Sequence, residues 1–105
     1  MVKLNKIYTR TGDAGETGLV DGSRISKAHA RAAAIGEVDE ANSAIGVALL
    51  YVREEERRAM LGRIQNELFD LGADLATPGE DFAPGEMTLR IVQAQIDRLE
   101  AEIDV

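Results

Sequence analysis

Apolar positions fall into three stripes along this chain. The first, Ala30, Ala34, Val38, Ala41, Ile45, Ala48 and Val52, advances by steps of three and four, as one face of an α-helix does. It predicts a first helix capped by Ser26 and running to about Val52. The charged run Arg53-Glu54-Glu55-Glu56-Arg57-Arg58 then reads as a solvated bend and a new helix start, since acids are favourable in a first turn. Leu61, Ile64, Leu68, Leu71 and Leu75 repeat the same step and predict a second helix. Thr77-Pro78-Gly79 ends it, because proline disfavours helix in the residue before it. After a loop through Pro84-Gly85, a third helix carries Leu89, Val92, Ile96, Leu99 and Ile103.

Stripes of this kind in successive helices with short connections predict an all-α fold, an antiparallel helix bundle. The alanines of the first helix would let a neighbour approach closely. The third stripe is still in phase at Ile103, and neither a C-cap glycine nor another stop signal precedes Val105. Three such helices leave apolar faces that would normally meet a fourth. The expectation is one domain that is apparently truncated, with a loop over residues 1–25 and a bundle over residues 26–105.

Composition agrees with helices. The chain has 105 residues, enough for one domain with a modest core, and only four of them are aromatic. There is no cysteine, which excludes disulfides, thiolate zinc sites and cysteine nucleophiles. No apolar run approaches the roughly 18 residues of a membrane span. The N-terminus lacks the apolar stretch of a secretory signal, so a soluble cytoplasmic protein without a membrane partner is expected.

Charge is uneven along the chain. A net charge of −7 argues against a nucleic-acid partner. Residues 1–31 nevertheless hold six cations against three acids, a balance of +3, and the rest of the chain carries −10. An anion would find its attraction at the N-terminal end.

That end also holds the segment Thr9-Arg10-Thr11-Gly12-Asp13-Ala14-Gly15-Glu16-Thr17-Gly18, which can neither pack nor hold a helix. Glycine permits close backbone approaches, and a polar glycine-rich loop feeding a helix N-terminus is an architecture that cradles phosphate with N–H groups. No Walker A lysine follows, and no βαβ unit surrounds the loop. On the pattern alone, a phosphate cradle and a merely flexible arm both stand.

Resemblance separates them. The run KIYTRTGDAGETGLVDGSRISK, then GEVDEANSAIG, then IQNELFDLGADLAT resembles the PduO-type ATP:cob(I)alamin adenosyltransferases, in order and at the expected intervals. The resemblance implies a homotrimer of five-helix bundles, with ATP held between adjacent subunits by the N-terminal loop. It implies transfer of the 5′-deoxyadenosyl group of ATP to the cobalt of reduced cobalamin, with release of triphosphate and with Mg²⁺ on the nucleotide. Matched to this chain, it assigns Thr9, Arg10, Thr11, Gly12, Thr17, Gly18 and Lys27 to ATP, with Asp13 and Gly15 shaping the loop. It also implies that Asp39, beside Asn42, pairs with an arginine of a neighbouring subunit and joins the site to the interface.

The implied chemistry suits what the sequence lacks: there is no Ser/His/Asp set, no metal-ligand cluster and no lone activated base. Cobalt(I) is itself the nucleophile, so Lys27, Arg10 and loop amides would form the catalytic apparatus by placement and charge. No residue is assigned as a protein metal ligand. Asp13, Glu16 and Asp21 read as solvated loop acids beside that possibility, and His29 reads as a solvated residue at the start of the first helix. The family has a further stretch after the third helix that supplies arginines to the adjacent subunit's site, and this chain does not contain it. The competing reading is a noncatalytic helical module that keeps a nucleotide loop and acts through oligomerisation or as a sensor. A corrinoid reductase or a cobalamin-dependent enzyme is an implied further partner.

Overall fold

The computed structural model describes residues 5–85 and 88–105. Its elements run β1 (Glu16–Gly18), β2 (Arg24–Ser26), α1 (Ala30–Leu49), α2 (Glu55–Leu75) and α3 (Gln93–Ile103). The fold is mostly helical, but it is not all-α.

β1 and β2 form an antiparallel hairpin with Thr17 opposite Ile25. Two β-branched residues facing each other favour extended chain, and Asp21-Gly22 supplies the turn. Gly22, at φ +87°, takes a conformation that side chains resist. The Asp21 carboxylate accepts from the N–H and the hydroxyl of Ser23, which holds its carboxyl below the usual range.

The hairpin moves the start of α1. Ser26 ends β2, and its hydroxyl accepts from the Ala28 N–H, so it closes a turn and does not cap the helix. His29 is the N-cap, its Nδ1 accepting from the Arg31 N–H at 3.0 Å. The buried face of α1 is also rotated from the alanine stripe. Arg31, Ala34, Ile35, Val38, Asn42, Ile45 and Leu49 are half-buried, while Ala30, Ala41 and Ala48 are exposed. Isoleucine and leucine remove more apolar area from water than alanine does, so they fix which face turns inward.

α2 follows the leucine pattern closely. Leu61, Ile64, Leu68, Leu71 and Leu75 are all half-buried, and Glu55 and Glu56 occupy the first turn. Contacts between the helices run in opposite senses. Arg31 reaches the Leu75 carbonyl, Asn42 and Gln65 each donate to the other's carbonyl, and Arg58 reaches the Leu49 carbonyl. α1 and α2 are therefore antiparallel.

α3 is antiparallel to α2 by the same test, through Arg63–Glu102, Arg98–Glu67 and Arg90–Asp74. It starts at Gln93, later than the apolar stripe predicts, because Val92 is the N-cap and the Gln95 side chain accepts from its N–H. Leu89 precedes the helix altogether. Ion pairs, and not apolar packing, fasten α3: Ile96, Leu99 and Ile103 stay exposed. Among the described residues no apolar side chain is fully buried. The radius of gyration is 16.2 Å, against about 13 Å for a compact chain of this length. The bundle lacks a closed core of its own.

Candidate functional site

Two successive turns build the glycine loop. Asp13 N–H donates to the Arg10 carbonyl at 3.3 Å, and Gly15 N–H donates to the Gly12 carbonyl at 3.2 Å. These bonds leave the N–H groups of Gly12 and Ala14 outside the turns. Arg10 holds φ +60°, a left-handed conformation that is uncommon for a side-chain-bearing residue. Such conformations persist where surrounding bonds over-determine them. Thr9 and Thr11 share a hydroxyl–hydroxyl bond of 3.0 Å, and the Arg10 guanidinium lies over the Tyr8 ring at 5.0 Å.

Lys27 folds back onto this loop from the end of the hairpin. Its N–H donates to the Gly15 carbonyl at 2.8 Å. Its ammonium lies 2.9 Å from where a Cβ on Gly12 would stand. A side chain at residue 12 would make the lysine end shift. Thr9, Arg10, Thr11, Gly12, Asp13 and Gly15 thus share one loop, with Lys27 folded onto it from beyond β2 and Thr17 and Gly18 on the adjoining strand. All are exposed except Gly12 and Thr17, which are half-buried.

Arg24, the first residue of β2, is a contact to the loop that sequence reasoning missed. From across the hairpin its guanidinium donates to the Thr11 carbonyl at 2.7 Å and to the Glu16 carbonyl at 3.1 Å. Arg24 therefore braces the loop, and the ammonium of Lys27 has no ion pair among the described residues. The Asp21-Gly22 dipeptide was the available signal. It marks a hairpin, and the hairpin sets Arg24 opposite Gly18.

Asp39 and Asn42 lie elsewhere. They are about three turns further along α1, roughly 15 and 20 Å of helix rise from His29, and line a polar notch with Ser43 and Gln65. The chain does not bring them to the glycine loop. The Asn42 Oδ1 is buried without a partner among the described residues.

A third group closes the other end of α2. His29, Arg31, Asp74, Thr77, Phe82 and Arg90 line a cleft there. The Arg90 side chain is 3% exposed and pairs with the Asp74 carboxylate at 2.7 Å, with the Phe82 ring 5.2 Å away. Burial pushes the Asp74 carboxyl up, but the Ile91 N–H and the Arg90 guanidinium outweigh it and hold the group below the usual aspartate range. Asp74 inside the leucine stripe, and Arg90 between Leu89 and Ile91, were visible as charges in apolar company. No helix among the described residues is long and apolar enough to cross a membrane.

Known proteins match this chain over nearly its whole length. The family model for cobalamin adenosyltransferase matches residues 7–105. A corrinoid adenosyltransferase of Mycobacterium leprae is 50% identical over 106 residues, which cover 98% of this chain and 56% of that protein. The corrinoid adenosyltransferase PduO of Salmonella typhimurium is 43% identical across 93% of this chain and 29% of its own length. Among solved structures, a variant of the PduO-type ATP:corrinoid adenosyltransferase from Lactobacillus reuteri, complexed with cobalamin and ATP, aligns with a TM-score of 0.79 and 38% identity. That alignment covers 94% of this chain and 53% of the other. The chain spans about half the length of the Mycobacterium leprae relative it matches.

Proposed function

This chain belongs to the cobalamin adenosyltransferase family, and from that membership we propose that the protein transfers the 5′-deoxyadenosyl group of ATP to the cobalt of a reduced corrinoid. The observation that carries the reading is the ammonium of Lys27 set against Gly12, in a glycine loop whose Gly12 and Ala14 N–H groups have no partner among the described residues. The solved relative's bound ATP and cobalamin support it.

In the proposed step, cobalt(I) attacks C5′ of ATP. A Co–C bond forms, the C5′–O bond breaks, and its electron pair leaves on triphosphate while cobalt is formally oxidised by two electrons. No proton needs to move, so no side-chain base is required. Lys27, Arg10 and the N–H groups of Gly12 and Ala14 bind the triphosphate and neutralise it as it leaves, and Thr9, Thr11, Thr17 and Gly18 fix the nucleotide. Asp13 and Gly15 shape the loop. Oriented reactants can contribute on the order of 7–11 kcal/mol to such a reaction.

Mg²⁺ fits this loop in one way. Among the described residues no group of three His, Cys, Asp or Glu side chains could hold a metal ion. Magnesium carried on a triphosphate needs only one or two carboxylates beside phosphate and water. Asp13 and Glu16 offer such carboxylates, with no ion pairs among the described residues. Bound there, the ion would add charge neutralisation on the triphosphate.

The complete assembly we propose is a cytoplasmic homotrimer of five-helix bundles, in which the exposed face of α3 is covered and Asp39 meets an arginine of a neighbouring subunit. Residues 1–25 and the helices act as one unit, with the nucleotide loop shared across the subunit boundary and a reductase or corrinoid-using enzyme as a further partner. The test is calorimetric titration of Mg·ATP into the full-length protein and its Lys27→Ala variant. Losing one charge-assisted contact costs about 1.5–3 kcal/mol, roughly ten- to a hundredfold in affinity. Equal dissociation constants would remove Lys27 from the site.

A further inference from the structure

Three separate segments converge on the last turn of α2. The Leu75 carbonyl accepts from Arg31 at 2.6 Å, at the start of α1. The Ala76 carbonyl accepts from the Val20 N–H at 2.9 Å, at the tip of the nucleotide hairpin. The Asp74 and Thr77 carbonyls accept from Arg90 at 3.2 and 3.0 Å, and the Asp74 carboxylate takes both Arg90 and the Ile91 N–H. A helix end leaves its last carbonyls short of intrahelical partners, and three of the four bonds that reach these carbonyls from outside α2 come from arginine guanidinium groups.

One of those bonds differs from the rest in what it connects. Among the described residues, Val20 N–H to Ala76 O is the single backbone hydrogen bond between the hairpin and the end of α2; at the hairpin's other end His29 N–H, at the start of α1, donates to the Ser26 carbonyl at 3.0 Å. Apart from that local exit turn, the hairpin's bonds among the described residues stay with it and the glycine loop, as with Lys27 to Gly15 and Arg24 to Thr11 and Glu16. The glycine loop and Lys27 are therefore rigid with respect to the hairpin, and the hairpin is set against the bundle at Ala76. The direction of the Ala76 carbonyl depends in turn on Asp74 and Thr77, on either side of it, which Arg90 grips.

We propose that Asp74 and Arg90 are positioning residues for the nucleotide loop, acting through the Ala76–Val20 tether without touching the nucleotide. This rests on the reading of the glycine loop as an ATP site. The device lets the segment leading into α3 set where the phosphate-binding loop stands. Loosening the grip on Asp74 frees the tether, and the loop then spends part of its time away from its binding position, which lowers apparent affinity in proportion.

Val20 is well placed for a clean test. Gly22 N–H donates to the Leu19 carbonyl, which makes Val20 the second residue of a four-residue turn. Proline is favoured there and has no N–H to donate. Val20→Pro therefore keeps the turn and deletes the tether alone.

In the full-length protein, Val20→Pro and Asp74→Asn should each raise the Kd for Mg·ATP about fivefold, the effect of one ordinary hydrogen bond, and should raise KM for ATP with little change in kcat. Because both act through one bond, the double variant should be no worse than Val20→Pro alone. Additive effects of the two substitutions, or an unchanged Kd in either, would overturn the proposal. Amide exchange supplies a readout independent of ATP and of the folding of Val20→Pro. In Asp74→Asn the Val20 amide should exchange several-fold faster while mid-helix amides of α2 hold their rates, and an unchanged Val20 rate would also overturn the proposal. Wild-type protein that fails to bind ATP would instead refute the reading of the loop, and the exchange result would still decide whether Asp74 controls the tether.

Discussion

The ammonium of Lys27 occupies the space that a side chain on Gly12 would need. A Cβ at residue 12 would stand 2.9 Å from Lys27 Nζ, 3.1 Å from its Cε and 3.3 Å from the Glu16 carbonyl oxygen. The lysine end is flexible and can yield, whereas the Glu16 carbonyl belongs to a paired strand. Glycine at this position thus lets the Lys27 ammonium lie against the loop backbone at residue 12.

Gly12→Ala should therefore move the charge more than it disturbs the fold. ATP affinity is expected to fall roughly tenfold, while the thermal midpoint changes by no more than a few degrees. Calorimetry beside a thermal melt checks both. An unchanged Kd would mean that the Lys27–Gly12 contact has no part in binding.

Asp74 makes stability depend on acid. Burial raises its carboxyl, but the Ile91 N–H and Arg90 outweigh burial, so the folded-state value lies below the unfolded one. A group of that kind contributes fully above the ordinary aspartate range near pH ~4, and loses its contribution as pH falls below that range toward the folded value. At pH 7, Asp74→Asn should cost about 1–2 kcal/mol in urea unfolding. The difference should shrink steadily below pH ~4. A cost that stays the same from pH 7 to pH 3 would contradict this account of the Asp74–Arg90 pair.

Much of the fold was legible in the sequence, for a physical reason. The leucine stripe of α2 buries large side chains at a regular step, and every one of its five leading positions is half-buried. The stripe of α1 misled because alanine gains little from burial, so Ile35 and Leu49 decided the face. Ser26 looked like a helix cap but serves the hairpin's exit turn, since a hydroxyl can satisfy a turn as readily as a helix. In the site, Lys27 and the glycine loop were legible as charge and backbone freedom. The partners of Arg24, Asp74 and Arg90 were not, because Arg24 and Arg90 donate to carbonyls distant in sequence and the Asp74 carboxylate accepts from Arg90 and the Ile91 N–H. Periodicity carries no record of such bonds.

The exposed residues of α3 lead to an expectation about assembly. Ile96, Leu99 and Ile103 form an exposed apolar face on α3, whose flank is paired to α2 through Arg63–Glu102 and Arg98–Glu67. An apolar face of this kind marks an interaction surface. Light scattering on the full-length protein should return the mass of a trimer at micromolar concentration. Ile103→Asp should lower that mass. A catalytically active monomer would rule out a nucleotide site shared between subunits.

The central claim is the reaction, and its products test it most directly. Chemically reduced corrinoid and Mg·ATP are mixed anaerobically with the full-length protein, the visible absorbance of the corrinoid is followed, and the phosphate product is separated by chromatography. The account predicts an adenosylated corrinoid and intact triphosphate in equal amounts, with Thr11→Ala and Lys27→Ala slowing the conversion and His29→Ala leaving it nearly unchanged. ADP with phosphate, or AMP with pyrophosphate, in place of triphosphate would contradict it.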